Sequence, residues 1–124
     1  MPRARIVYYA EDNGDVPILG WLSGLQAKVR SKCIAYLTRL EAEGHDLRRP
    51  VADYLRDGIY ELRPTFGGIH YRILYFFHGH EAIVVSHGLT KEQKVPPAEI
   101  NRAIARMGRF KTNPVVHAFE PSKG

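Results

Sequence analysis

The chain has 124 residues, and 18 Lys and Arg against 13 Asp and Glu give it a formal net charge of +5. This length fits one domain with its own core, and 44% hydrophobic with 25% charged residues is typical of a globular protein. The single cysteine excludes an intramolecular disulfide, and no apolar run approaches the roughly 18 residues that span a bilayer. The N-terminus lacks the apolar core of a signal peptide, so we expect a cytoplasmic protein.

The excess positive charge lies entirely in the second half of the chain. Residues 1–62 hold nine basic and nine acidic side chains, whereas residues 63–124 hold nine basic and four acidic ones. A basic half of this kind suits a polyanion or an acidic protein as the partner. A basic soluble protein without such a partner has the same composition, so charge alone leaves both interpretations open.

The first half of the chain predicts one strand and two helices. The β-branched and aromatic residues from Arg3 to Tyr9 predict a strand. Asp15-Val16-Pro17 opens a first helix, and a second helix runs from about Lys28 to Glu43. Its apolar stripe includes Cys33, which we therefore place in the core. The segment from His45 to Asp53 reads as a polar connection.

The second half predicts three strands and a final helix. The strands run from Gly58 to Phe66, from Ile69 to Phe77 and from Glu81 to Leu89. Pro96-Pro97 begins the last helix, which reaches about Arg109.

This order of elements predicts an α+β fold. We expect a small, mainly antiparallel sheet with the two N-terminal helices on one face, and a C-terminal helix. A single domain covers residues 1–110. Residues 111–124 hold two prolines and no periodic pattern, which predicts a loose C-terminal tail.

The pair Gly67-Gly68 fits a two-residue hairpin turn and determines how the flanking strands pair. Counting outward places Thr65 opposite His70 and Arg63 opposite Arg72. One face of this hairpin is apolar and predicts the core side under the helices, formed by Tyr60, Leu62, Tyr71, Ile73, Tyr75 and Phe77. The opposite face has a polar end and an apolar end.

The third strand is expected to extend the polar end. A two-residue turn before it places Ile83, Val85 and His87 on the same face as Arg72. A three-residue loop would break this inference.

Arg63 and Arg72 are predicted to face each other, which is unfavourable unless both splay into water or both bind an anion. Further cationic or titratable side chains favour a phosphate as that anion, namely His70, His87, Lys91 and Lys94. Glu61, two residues before Arg63 on the same face, offers a different neutralisation of one arginine.

The last helix carries basic residues at helical spacing. Ile100, Ala103, Ile104 and Met107 form its apolar side. Arg102, Arg106 and Arg109 form a stripe on another side, either as an RNA-binding surface or as an ordinary solvated face.

Two segments, YELRPTFGGIHYRILYFF (Tyr60 to Phe77) and HGLTKEQKVP (His87 to Pro96), resemble the RelE/ParE superfamily of toxins, closest to its phage-derived HigB-like branch. The resemblance implies the toxin of a type II toxin–antitoxin pair, bound in a hetero-oligomer by a helix-turn-helix antitoxin. It implies an endoribonuclease that cuts mRNA on the ribosome by attack of a ribose 2′-hydroxyl. The ParE branch shares this fold but inhibits DNA gyrase, and a non-catalytic binding protein is a third possibility.

The resemblance also assigns roles to residues of this chain. It makes Arg72 the main phosphate clamp, and Lys91 and Lys94 a basic pair. His87 and His70 are candidates for proton transfer, because an imidazole titrates near neutral pH. From the sequence itself, we add Arg63 as a weaker third cation of the site. The further candidate RNA contacts are His70, Arg102, Arg106 and Arg109. We expect Arg72→Ala to abolish growth inhibition without unfolding the protein.

No cofactor is implied, and the sequence lacks a cluster of metal ligands, so we expect no metal. Two residues depart from the family pattern. Phe110 stands where relatives often have tyrosine, and Val95 stands where they often have threonine.

Overall fold

The computed structural model of the chain describes residues 4–90 and 94–121. In this part the helices are α1 (Pro17–Ser23), α2 (Ala27–Glu43) and α3 (Pro97–Thr112), with a short 3-10 turn at Gly44–Asp46. The strands are β1 (Arg5–Tyr9), β2 (Ala52–Arg56), β3 (Ile59–Leu62), β4 (Thr65–Phe66), β5 (Ile69–His78), β6 (Ala82–Thr90) and β7 (Ala118–Phe119). The predicted α+β class is confirmed.

The strands form a mainly antiparallel sheet in the order β2-β3-β5-β6-β1-β7, and β4 pairs with the start of β5. Only β1 and β6 run parallel among the described strand pairs. The predicted register of the glycine hairpin is confirmed, since Thr65 pairs with His70 and Leu62 with Ile73. Pro64 separates β3 from β4, because a proline has no N–H to donate to a ladder.

Each face of the sheet has its own hydrophobic core. The face predicted from the hairpin packs under α1 and α2, where Leu62, Ile73 and Tyr75 join Cys33 and other α2 residues in one buried cluster. The predicted core position of Cys33 is thereby confirmed. The opposite face packs under α3, in a second cluster that includes Val7, Tyr9, Leu74, Phe76, Ala103 and Phe110. The candidate site lies on this α3 face.

The placement of Ile83 and Val85 on the Arg72 face is wrong. The loop between β5 and β6 has three residues, 79–81, so Val85 pairs with Tyr75 and packs on the α1 and α2 side. One extra loop residue inverts the alternation of the whole strand. A β-bulge at Ser86 then inverts it again, so that His87 pairs with Leu74 and does share the α3 face with Arg72.

Two segments predicted to lack structure contain strands. The connection from His45 to Asp53 runs into β2, a strand that the sequence analysis missed. The loose tail predicted for residues 111–124 does not hold for the part that carries β7, which pairs with β1. His117, just before β7, is buried with its ring stacked on Tyr9 at 5.2 Å. This aromatic contact and the strand pairing hold the segment against the sheet.

No helix within the described ranges is long and apolar enough to cross a membrane.

Candidate functional site

The candidate site is a buried polar group between β6 and α3. The bulge turns His87 toward α3, where its Nε2 lies 3.0 Å from Glu99 Oε1. Its Nδ1 lies 3.1 Å from Arg106 Nη1 and 2.7 Å from Ser86 Oγ. Arg106 Nη1 also donates to Ser86 Oγ at 3.3 Å. Two adjacent strand residues and two residues of α3, two helical turns apart, therefore form one connected network.

This network determines the protonation of His87. A guanidinium can only donate hydrogen bonds, so Nδ1 is the unprotonated, accepting nitrogen and Ser86 Oγ–H donates to it. The ring proton then lies on Nε2 and is donated to Glu99. Burial and the charge of Arg106 lower the pKa of His87 to about 4, against the opposing effect of Glu99. His87 is therefore neutral at neutral pH.

Arg106 connects this group to the loop after β1. Its Nη2 lies 3.5 Å from Glu11 Oε2, and its guanidinium carbon lies 5.4 Å from the centroid of the Tyr9 ring. Arg109 approaches the other oxygen of Glu11 at 3.9 Å and donates to the Tyr9 hydroxyl at 3.5 Å. An RNA-binding surface and a solvated face both require exposed side chains, so neither interpretation of the basic stripe holds at Arg106, which is buried. Arg102 and Arg109 are exposed as expected.

Arg72 lies on the same face in a different ion pair. Its Nε is 2.9 Å from Glu61 Oε1, and the two residues are only 3% and 8% exposed. Burial raises the pKa of Glu61, while the charges of Arg72 and Arg63 oppose that rise. The neutralisation of an arginine by Glu61 is therefore observed, and the arginine that Glu61 pairs with is Arg72. The structure presents no exposed guanidinium at this position.

The remaining predicted residues are dispersed. Arg63 is half-buried after β3, and His70 is exposed at the start of β5. Lys94 is exposed shortly before α3, and Lys91 lies outside the described residues. Phe110 is buried against Phe76 and His78, with ring centroids 6.0 and 5.0 Å away.

The site also contains residues that the sequence analysis did not identify, namely Ser86, Glu99 and Glu11. Glu99 lies in the first turn of α3, where an acidic residue is an ordinary helix signal and gives no hint of a site. Ser86 joins the site only because of the bulge. In the part of the chain that the structure describes, no three His, Cys, Asp or Glu side chains are grouped as a metal site requires.

The fold and the site together define a class. A mainly antiparallel sheet with two N-terminal helices on one face, and with a basic C-terminal helix over a polar group on the other, is consistent with a small RelE-like fold. A family model described as phage-derived protein Gp49-like (DUF891) matches residues 20–108. The chain therefore belongs to the Gp49-like family, which is a RelE-like toxin family. No curated protein matches the sequence.

Proposed function

We propose that this chain is the toxin of a type II toxin–antitoxin pair, of the HigB-like kind, and that it cuts mRNA on the ribosome. The observation that supports this proposal best is the Glu99 carboxylate, which is partly exposed at the start of α3 and accepts a hydrogen bond from the buried His87. Glu99 Oε1 also lies 3.5 Å from Arg102 Nε, and Lys94 is exposed a few residues earlier. A carboxylate and two exposed cations near the start of α3 suit the cleavage of RNA, which needs a base for a hydroxyl and positive charge for a phosphate.

The reaction is the attack of a ribose 2′-hydroxyl on the adjacent phosphorus. The 2′-oxygen–phosphorus bond forms and the bond to the 5′-oxygen breaks, which leaves a 2′,3′-cyclic phosphate and a 5′-hydroxyl. In our proposal Glu99 takes the proton of the 2′-hydroxyl as the general base. His87 is a positioning residue, since its two ring nitrogens are already engaged and its Nε2–H orients the carboxylate.

The exposed cations near Glu99 are proposed to stabilise the negative charge of the phosphate. We assign Lys94 and Arg102 to the negative charge that develops on the phosphate oxygens. Lys94 also acts as the general acid and donates a proton to the leaving 5′-oxygen, which becomes the 5′-hydroxyl. Both side chains are exposed, and the positive end of the α3 dipole favours the same charge. Arg72, which is buried and paired with Glu61, is assigned to supporting the sheet beneath the site. In our proposal Lys94 and Arg102, and not Arg72 as expected from the sequence, contact the phosphate.

The cognate antitoxin remains part of the proposal. The net charge of +5 resides in the half of the chain that contains β5, β6 and α3. An acidic segment of the antitoxin is expected to cover this basic surface, which would block RNA and form the toxin–antitoxin hetero-oligomer.

Inhibition of DNA gyrase by a ParE-like toxin is the second candidate. Two observations favour it. Arg72 is engaged by Glu61, and Phe110 near the end of α3 is buried and has no hydroxyl for proton transfer. A non-catalytic protein of the same fold would inhibit neither process.

Inducible expression without the antitoxin separates these candidates. We expect amino-acid incorporation to stop within minutes and the DNA-damage response to stay uninduced. Glu99→Gln should relieve the arrest, because loss of a general base lowers the rate about 10²–10⁴-fold. Glu43→Gln, which changes an exposed carboxylate at the end of α2, is the matched control and should remain toxic. Induction of the damage response with translation intact would instead support gyrase inhibition.

A further inference from the structure

A cavity whose lining residues have no role in the proposed cleavage lies at the β2 edge of the sheet, away from His87 and Glu99. Its volume is about 450 Å³, and it opens between the 3-10 turn after α2 and the start of β2. Tyr54, Tyr60, Arg48, Arg49 and Asp53 are among its lining residues. In the sheet, β3 and β5 separate β2 from β6, so this cavity is distinct from the candidate catalytic site.

An exposed aromatic ring in a fixed orientation forms one wall. Tyr54 is 52% exposed, yet its ring packs edge-on against Tyr60 with centroids 5.0 Å apart. Its hydroxyl accepts a hydrogen bond from Gly58 N at 3.1 Å. Tyr60 in turn stacks on the buried Tyr75 at 5.4 Å. Holding a large apolar ring half in water costs free energy, and its fixed orientation makes it a ready stacking surface.

The lining of the cavity also contains two arginines. Arg48 and Arg49 are exposed, and Arg49 Nε forms an ion pair with Asp53 Oδ2 at 2.8 Å. Arg48 forms no ion pair with any residue in the described ranges. An aromatic ring beside arginines is the combination that binds single-stranded nucleic acid, by base stacking and phosphate contact.

The backbone of this edge argues against an extended peptide as the ligand. Tyr54 N already donates to Asp53 Oδ1 at 2.9 Å, so one donor of the edge strand is occupied. The register of β2 is also interrupted between Tyr54 and Arg56. Both features hinder the addition of another strand, which leaves the side chains as the recognition surface.

We propose that this cavity binds single-stranded RNA, with one base stacked on Tyr54 and an adjacent phosphate held by Arg48 and Arg49. The choice of RNA rests on the proposed function. The cavity gives the RNA a second contact, remote from Glu99, that adds affinity without taking part in the cleavage.

The test is a fluorescence-anisotropy titration of the full chain with a labelled hexanucleotide of 2′-O-methyl RNA. The blocked 2′-oxygen cannot attack phosphorus, so binding is measured apart from cleavage. Tyr54→Ala should weaken binding about 5- to 100-fold, the usual effect of removing one stacked base contact. Tyr54→Phe keeps the ring and should bind within about threefold of wild type.

The charge contact is tested in the same titration. Arg48→Ala should weaken binding and reduce the slope of log affinity against log salt by about 0.7, as for one lost contact to single-stranded phosphate. Arg39→Ala on α2 removes an exposed arginine that does not line the cavity and should leave both the affinity and the salt slope unchanged. Circular dichroism verifies that each variant is folded.

Equal binding by wild type and Tyr54→Ala would overturn the inference. The inference would also be overturned if Tyr54→Ala weakened binding of the antitoxin but left the affinity for RNA unchanged. If RNA binding fails but translated mRNA is still cut, the cavity assignment is wrong and the proposed function stands. If the hexanucleotide binds as expected but no mRNA is cut, the cavity assignment stands and the nuclease proposal is wrong.

Discussion

Removing Arg72 is expected to destabilise the fold, because its partner Glu61 is buried with it. The two side chains meet at 2.9 Å with almost no exposure. Breaking a buried ion pair by removing one partner costs about 3–5 kcal/mol, since the remaining charge is left in a poorly solvated site. This is a large part of the roughly 5–15 kcal/mol that stabilises a small domain. The expectation that Arg72→Ala leaves the protein folded therefore does not follow from the structure.

A paired substitution separates the fold from the function. Glu61→Leu combined with Arg72→Met replaces both charges by apolar groups of similar size, which is often neutral or even stabilising by about 1–4 kcal/mol. We expect Arg72→Met alone to lower the free energy of unfolding in urea by about 3–5 kcal/mol. The double variant should recover most of that loss. A double variant as unstable as Arg72→Met would refute this reasoning and indicate lost packing instead of an unpaired charge.

The same variants differ in their response to pH. Without Arg72, burial holds the pKa of Glu61 above its value in the unfolded chain, so the folded state binds the proton more readily. Stability is then retained at low pH and falls as the pH rises through the folded pKa. Arg72→Met should therefore lose more stability at pH 8 than at pH 5, relative to wild type. The double variant, which lacks the carboxylate, should show no such difference.

Two further predictions concern stability. Because the folded state keeps His87 unprotonated down to about pH 4, stability should fall as the pH drops below 6.5. Titration of His87 should account for a decrease of about 2 kcal/mol in the free energy of unfolding between pH 7 and pH 5. Urea unfolding should show that this decrease is absent in His87→Gln and still present in His70→Gln, which changes an exposed histidine. A Cβ at Gly88 would lie 2.2 Å from Trp21 Cδ2, so Gly88→Ala should lower the melting temperature by displacing that ring. In the control Gly20→Ala, the new Cβ in α1 meets no atom within 4 Å, so the melting temperature should rise. A melting temperature of Gly88→Ala at or above that of wild type would contradict the close contact between Gly88 and Trp21.

Local sequence signals predicted the fold where a single rule decides the geometry. Gly67-Gly68 determined a two-residue turn, and the register of β3, β4 and β5 followed from it. The strand β2 was missed because, of its five residues, only Ala52 is buried, so it shows no apolar run. Such an edge strand is formed by its pairing with β3 and not by its own pattern.

The candidate site was predictable only in part, because two local irregularities determine which side chains meet. The three-residue loop before β6 moves every alternate side chain of the strand to the other face, and the bulge at Ser86 reverses that change. His87 therefore lies on the predicted face, although the predicted two-residue turn is absent. The bulge also brings His87 under α3. Arg106 is therefore buried at a position that helical spacing alone assigns to solvent.

The most direct test of the nuclease proposal is primer extension on a reporter mRNA in a cell-free translation reaction. Purified wild-type protein should produce discrete cuts at codon positions on translated message. These cuts should be absent when ribosomes are omitted and when Glu99→Gln replaces the wild type. Message that stays intact in the presence of the wild-type protein would contradict the proposal, and so would cutting by Glu99→Gln at the wild-type rate.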